Sequence, residues 1–276
     1  MVSILILTKD EEVNIERCIR SVDWCDDVVV FDSYSTDRTV ELARSLGARV
    51  ESRVFDHYAA QRNAALALEY KYEWILMVDA DECVSPELKE EMFQCLEHAP
   101  EDLVMLRMRR KDYFFGRWIR HSSGYPTWFG RLVRKGRVRV EREINEEYIA
   151  DGEIRELEAH LIHYPFAKGI AYWFERHNRY SSMEAVALVG EVQEEFSMGM
   201  LFSRDAVLRR KALKQLAYRM PGRPLLVFVY LYFFRMGFLD GAAGLRYTLM
   251  RSMYEFMIDL KVKEIRAKNR GEEAQR

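Results

Sequence analysis

The sequence predicts an α/β fold whose first hundred residues form a parallel, doubly wound sheet. Three observations carry that expectation. Short apolar runs alternate with helix-length segments. The runs are continuous rather than alternating, as in strands buried on both faces. Helix start and stop residues fall in the gaps between them.

Ile4–Leu7 is the first strand, followed by a helix from about Glu11 to Val22. Val28–Phe31 is the second strand. Ser35 or Thr36 caps the next helix, and Gly47 stops it ahead of a third strand, Ala48–Glu51. A helix through Tyr58–Glu69 leads to the fourth strand, Trp74–Val78. Ser85 as N-cap, with Pro86 in the first helical position, opens a helix to about His98. The pattern then changes. Strand-like segments Leu103–Arg109, Trp128–Val133, Val138–Val140 and Ile154–His163 are separated by turn and aromatic residues, which suits a mixed sheet with loops. From Ala167 onward the pattern is helical, and the polar end reads as frayed. The expected division is 1–165, in halves 1–100 and 101–165, then a helical region 166–265 and a disordered tail 266–276.

Nearly half of the 276 residues are hydrophobic, enough for a full core and against wholesale disorder. The net charge of −2 hides an uneven distribution: Arg204 to Arg251 holds ten Lys/Arg against two Asp. That stretch points to an anionic partner for this end of the chain. Cys18, Cys25, Cys83 and Cys95 show neither CxxC nor zinc-finger spacing, so free thiols are expected. The N-terminus enters the strand SILILT without a basic leader region and does not read as a signal peptide. The longest apolar run, Leu225–Phe234, is half the roughly 20 residues a spanning helix needs.

The main chemical signal is Asp79-Ala80-Asp81 in the context VDADE. The pair follows a buried strand, where the chain turns out at the C-terminal edge of the sheet and where ligands of open α/β sheets bind. A diphosphate calls for a hard divalent cation, and Mg²⁺ or Mn²⁺ prefers carboxylate oxygen. Asp81 would hold it, with Asp79 supporting it or reaching the ribose. Asp32 ends the second strand in the same way and opens the polar turn DSYSTD, where a carboxylate can accept from the ring N–H of a base. The first turn, TKDEEV, has no glycine, which excludes a dinucleotide fingerprint or P-loop and leaves phosphate charge to metal and side chains. Thr8 and Glu11 in that turn are available for nucleoside contacts.

Several residues admit two readings. His163 in HLIHYPF is either a structural hydrogen-bonder or a metal or phosphate ligand beside Asp81. Arg176, Arg179 and Tyr180 share a helical face, as an acceptor-phosphate clamp or a solvated surface. The stretch RPLLVFVYLYFFRMGFLDG follows the basic segment Arg209–Arg223 and suits the headgroup zone of an anionic leaflet. A core helix or dimer contact over 224–238 is the rival.

The ordered segments ILTKDEEVNIERCIRSV, DSYSTDRTVELA, FDHYAAQRNAAL and WILMVDADE resemble the N-terminal half of family 2 glycosyltransferases. Closest are lipopolysaccharide core glucosyltransferases and their unassigned relatives. The resemblance continues through Gly124–Leu132, INEEYIADG, HLIHYPF and FLDGAAGLRY, and so covers nearly the whole chain. It implies a GT-A fold, a Rossmann-like, mostly parallel sheet with a mixed-strand acceptor side; the C-terminal helical region is expected to associate with membrane from its basic and apolar composition. In that frame 1–100 is the nucleotide-sugar half of the catalytic domain and 101–165 the acceptor half.

The resemblance also implies a UDP-linked nucleotide-sugar donor, a divalent cation, Mg²⁺ or Mn²⁺, and inversion at the anomeric carbon. It places Thr8, Glu11 and Asp32 on the nucleoside, Asp79 and Asp81 at the metal, and Gln61, Arg62 and Asn63 beside the donor. Glu146 matches the expected base, although Asn145 stands where relatives commonly carry histidine. With Val138–Asn145 extended, Glu146 emerges where strand gives way to loop and Glu147 points the other way.

The expected activity is metal-dependent sugar transfer to a hydroxyl of a cell-surface glycan or glycolipid such as lipopolysaccharide core. The expected setting is cytoplasmic, peripheral on the inner face of the cytoplasmic membrane. Nucleic acid is not among the expected partners, and the sequence does not specify an oligomeric state. Alternatives are transfer to a polyprenyl phosphate carrier and a non-enzymatic membrane-tethered module of the same fold.

Overall fold

The computed structural model describes residues 1–141, 147–191, 199–200, 203, 209, 222–269 and 271. The chain divides into two compact units, Met1–Trp118 with Tyr125–Ala167, and Ile119–Gly124 with Lys168–Arg276.

In the first unit the strands are β1 (Val2–Thr8), β2 (Val28–Asp32), β3 (Arg49–Ser52), β4 (Trp74–Asp79), β5 (Glu82–Val84), β6 (Leu103–Phe114), β7 (Arg117–Trp118), β8 (Trp128–Arg134), β9 (Val138–Glu141), β10 (Glu147–Ala150) and β11 (Glu153–His163). The helices are α1 (Ile15–Arg20), α2 (Thr39–Ser45), α3 (Tyr58–Leu66) and α4 (Pro86–Glu97). Nine strands form one sheet in the order β3-β2-β1-β4-β8-β6-β11-β5, with β7 on β6. β3, β2, β1 and β4 pair in parallel. β8 lies antiparallel between β4 and β6, and β11 runs parallel to β6. Most strands therefore point one way, the α/β GT-A plan expected from the sequence.

The apolar runs became the central strands because both faces are covered. Ile4, Leu5 and Ile6 are fully buried, as are Ile75, Leu76, Met77 and Val78. One face packs on Ile15, Cys18, Val22, Leu88 and Met92, the other on Ala65 of α3 with Tyr148 and Ala150 of β10. Ser85 accepts from the Leu88 N–H with Pro86 following, so α4 starts where its cap predicts. All four cysteines are free thiols, and burial pushes the Cys18 thiol up.

Two helix starts differ from expectation. α1 begins at Ile15 rather than near Glu11, and α2 begins at Thr39 with no side-chain cap from Ser35 or Thr36. The cause is a set of bonds between the two turns. Ser35 Oγ accepts from the Asp10 N–H (2.8 Å), Thr39 Oγ1 from Glu11 (2.7 Å) and Asp37 Oδ2 from Glu12 (3.1 Å). In return the Thr36 N–H donates to Asp10 Oδ1 (2.7 Å). The short strands β5, β7 and β10 carry too few residues for a periodicity to register.

In the second unit the helices are α5 (Gly169–Glu191), α6 (Arg223–Val229) and α7 (Gly241–Asn269). Tyr230–Phe234 continues α6 as a π-helical turn, and Gly237–Asp240 forms a 3₁₀ turn into α7. α7 runs on through Asn269 into the polar end of the chain, with Lys268 paired to Glu264. Lys261 pins α7 to α5 through the Asn178 carbonyl and side chain and the Ser181 and Ser182 hydroxyls, all within 2.8 Å. Among the described residues no single helix is long and apolar enough to cross a membrane.

Candidate active site

Thr8, Asp32 and Asp79 are the last residues of β1, β2 and β4, so parallel pairing brings them to one edge of the sheet. Thr8 lies directly opposite Asp32 and donates to it at 2.9 Å. Asp32 is buried and also accepts from the Ser35 N–H (2.8 Å) and hydroxyl (2.5 Å). Its carboxylate thus braces the turn that follows β2. Although the first turn has no glycine, Asp10 (φ 53°) and Tyr34 (φ 59°) adopt the left-handed backbone that glycine usually supplies. The turn-to-turn bonds hold these conformations in place. Glu11 accepts from the Asn14 side chain (2.8 Å).

Asp79 does not face Asp81. Its two oxygens accept from Arg62 (3.0 Å) and Arg131 (2.5 Å). From there an unbroken series of alternating charges crosses the strands. Arg131 also binds Glu82 (2.7 Å), which pairs with Arg110 (3.3 Å). Arg110 binds Asp112 (3.0 Å), Asp112 binds His163 Nδ1 (2.6 Å), and His163 Nε2 meets Asp81 Oδ2 (3.2 Å). The register explains the series, since His163 on β11 lies opposite both Asp112 on β6 and Glu82 on β5. Glu82 also accepts from the Asp79 N–H (3.0 Å), closing the DADE turn. The Tyr164 N–H donates to the Asp81 carbonyl (2.9 Å), tying the end of β11 to that turn.

The series sets the protonation states. Burial raises the Asp79 pKa, but Arg131 and Arg62 outweigh it and hold the carboxyl well below the usual carboxylate range. Burial would likewise lower the His163 pKa, but Asp81 and the bonds to Asp112 and Asp81 raise it to about 9. Asp81 and Asp112 are both lowered against their burial, with His163 the largest opposing influence on each.

Of the QRN residues, only Arg62 reaches the acidic pair. Gln61 bridges Ser33 (3.1 Å) and Arg53 (2.8 Å). Asn63 makes two bonds to the Val140 backbone (2.7 and 2.8 Å), anchoring β9 just before residues 142–146. Glu146 and Asn145 lie outside the described residues, as does most of the basic segment Arg209–Arg223. The β9–β10 hairpin that brackets 142–146 pairs Glu141 with Glu147. Arg176, Arg179 and Tyr180 lie on α5 in the helical unit, with Arg176 over the Tyr180 ring at 5.6 Å.

Glu82, Arg110, Asp112 and Arg131 belong to this charge series, and sequence reasoning missed them. Glu82 stands inside VDADE and Arg131 inside the Gly124–Leu132 segment, so the motifs held their signal. Arg110 and Asp112 join the site only through sheet pairing.

The acidic strand ends, the neutralised DADE turn and the Asp81–His163 pair define a nucleotide-handling α/β protein. A family model described as Glycosyl transferase family 2 matches residues 3–163, and the chain belongs to that family. It is similar to an uncharacterized glycosyltransferase of Rickettsia bellii, 46% identical over 118 residues, spanning 40% of each chain. A second uncharacterized glycosyltransferase, from Rickettsia typhi, is 27% identical over 98% of this chain and 89% of its own. The lipopolysaccharide core biosynthesis glycosyltransferase LpsC of Rhizobium meliloti is 28% identical over 55% of this chain and 58% of its own. A crystal structure of Mycobacterium tuberculosis glucosyl-3-phosphoglycerate synthase with Mg²⁺ and uridine diphosphate is similar over 40% of this chain and 43% of that one, at 23% identity and a TM-score of 0.35.

Proposed function

We propose that this chain moves a sugar from a nucleotide diphosphate sugar, UDP-linked, to a hydroxyl of a cell-surface glycan or glycolipid such as lipopolysaccharide core, with inversion. The observation that carries the reading is the Asp81–His163 pair at the sheet edge, backed by Asp112. The similarity to a lipopolysaccharide core enzyme supports the acceptor class.

The residues fit a hard divalent cation. Among the described residues no three His, Cys, Asp or Glu side chains cluster as a complete metal site. Mg²⁺ or Mn²⁺ needs only one or two protein ligands when phosphate oxygens and water complete the shell. Asp81 and His163 would supply those ligands, the imidazole releasing its Nε2 proton when a cation binds, with Asp112 fixing the ring through Nδ1 as a carboxylate behind a ligating histidine does. A cation there would neutralise charge on the leaving nucleoside diphosphate. In this reading the turns after β1 and β2 receive the nucleoside. Arg62 and Arg131 keep Asp79 ionised, and the Asn63 bonds steady the strand leading to Glu146. Glu146 takes the proton of the acceptor hydroxyl as it attacks the anomeric carbon. The setting is the cytoplasmic face of the inner membrane, reached through the basic stretch and the apolar helices of the second unit.

A thermal-shift panel of nucleotide sugars with and without Mn²⁺ tests the donor site, because a ligand raises apparent stability with its affinity and concentration. Asp81→Asn should weaken nucleotide diphosphate binding far more in Mn²⁺ than in EDTA. Equal affinity of variant and parent in Mn²⁺ would overturn the assignment. Glu146→Gln should lose about 10²–10⁴ in turnover with donor affinity nearly unchanged. Loss in Glu147→Gln with an active Glu146→Gln would move the base by one residue.

A further inference from the structure

We propose that the helical hairpin 223–269 inserts its tip into the headgroup–acyl boundary of an anionic bilayer, with Phe233, Phe234, Met236, Phe238 and Leu239 as the inserted side chains. This rests on the membrane reading above and names the surface that performs it.

The first observation is that α7 is apolar on two sides. Ala243, Gly244, Met250 and Ile258 are buried in the unit, whereas Leu245, Leu249, Met253, Phe256 and Leu260 form an exposed stripe at steps of three and four residues. A surface helix normally has one apolar face. A second one calls for a second apolar medium.

The tip has the same character in concentrated form. Five of the seven positions 233–239 are large apolar side chains between 46% and 77% exposed. The turn that presents them is firmly built. The buried Asp240 carboxylate accepts from the His121 N–H (2.9 Å), the Ser122 N–H (2.8 Å) and the Ser122 hydroxyl (2.7 Å). A Cβ on Gly244 would lie 2.1 Å from the Gly237 carbonyl oxygen, and one on Gly237 would lie 2.6 Å from that of Leu231. The motif FLDGAAGLRY thus encodes a tight turn that holds its apolar residues outward.

Charge identifies the occupant. From Gly222 to Tyr254 the one acidic residue is Asp240, which is buried, while Arg223, Arg235, Arg246 and Arg251 lie in the same span. Within that span no carboxylate faces solvent, and the exposed acids of α7, Asp259 and Glu264, lie beyond it, which suits anionic headgroups at the tip. The two segments meet at 73°, and neither alone is long and apolar enough to span. Insertion from one side is the geometry such a bend allows.

The test uses the full chain and vesicles of phosphatidylcholine with or without phosphatidylglycerol. Phe233→Ser, Phe234→Ser and Phe238→Ser together should lower partitioning onto the anionic vesicles by on the order of tenfold or more. The unfolding midpoint should stay that of the parent, since all three side chains are exposed. Independently, Phe234→Trp should gain fluorescence quenching from brominated acyl chains. Unchanged partitioning of the triple variant, or no added quenching, overturns the proposal. A parent dimer that dissociates in the triple variant without vesicle binding would assign the face to a second copy. If replacing Arg209, Arg210, Lys211 and Lys214 by Gln abolishes binding while the triple variant still binds, the broader membrane reading stands and the tip assignment falls. If the parent binds no vesicle, both fall.

Discussion

The sheet edge of the first unit and the hairpin of the second solve opposite problems. At the sheet edge, charges are buried and each is matched: four acids alternate with three arginines and a protonated histidine from Arg62 to Asp81. In the hairpin, large apolar side chains stand outside, and its buried acids are tied down, Asp240 by backbone N–H groups and Glu255 by Arg223. Burying charge is tolerable only with partners in place, and exposing apolar surface persists only where something else receives it. The first arrangement therefore looks inward to a preorganised site and the second outward to a partner.

The comparison breaks most sharply at Arg131, which is 3% exposed and bridges Asp79 and Glu82. Arg131→Met leaves buried Glu82 and partly exposed Asp79 without their shared cation and should cost about 3–5 kcal/mol in urea unfolding. The exposed pair Arg38–Glu41 is the control, and Arg38→Met should leave the urea midpoint close to that of the parent. Similar losses in the two variants would mean that the series at the sheet edge is not cooperative.

How far each region was legible in the sequence follows from the same contrast. The strands of the first unit were readable because burial on both faces writes a continuous apolar run, as at Trp74–Asp79. Asp32, Asp79 and Asp81 were readable because they end such runs. His163 was readable beside Asp81 because it ends a strand-like run, but Arg110, Asp112 and Arg131 were not, because they come from two further strands whose pairing is non-local. The missed cap at α2 has a related cause: Ser35 and Thr36 satisfy the neighbouring turn instead of their own helix, while Asp37 serves both, accepting from the Glu12 and Thr39 N–H groups. In the hairpin, composition announced an apolar, basic segment, but only the turn geometry around Asp240 tells which side chains face out.

In the hairpin the corresponding break is steric. Gly244→Ala drives a methyl group into the Gly237 carbonyl, and the neighbours are backbone that cannot swing aside. The expected loss is about 1–3 kcal/mol, read as a lowered midpoint in thermal unfolding. Gly190→Ala on α5, where a Cβ meets open space, should be neutral or slightly stabilising. An unperturbed Gly244→Ala variant would show that the turn yields, and with it the argument that the tip is held rigidly outward.

The smallest effect concerns protons. His177 on α5 stacks on Trp173 with centroids 3.6 Å apart and donates to the Trp173 carbonyl at 2.8 Å. Burial is the main cause that lowers its pKa to about 4, helped by Arg176 and Arg251 and opposed by the carbonyl bond. His163, matched by two carboxylates, goes the other way. Because the folded pKa of His177 lies below the unfolded value near 6.5, the unfolded chain binds more protons between those limits. The stability His177 contributes is therefore present above about pH 6.5 and is lost as pH falls toward about 4. One proton can tilt stability by at most about 1.4 kcal/mol per pH unit, and less for a half-buried ring. His177→Phe keeps the stacking and removes the titration, so urea midpoints at about pH 5 and about pH 7 should lie closer together in the variant than in the parent. Equal spacing in both proteins would place the acid sensitivity elsewhere, with half-buried His160 on β11, whose pKa burial also lowers to about 4, as the next candidate.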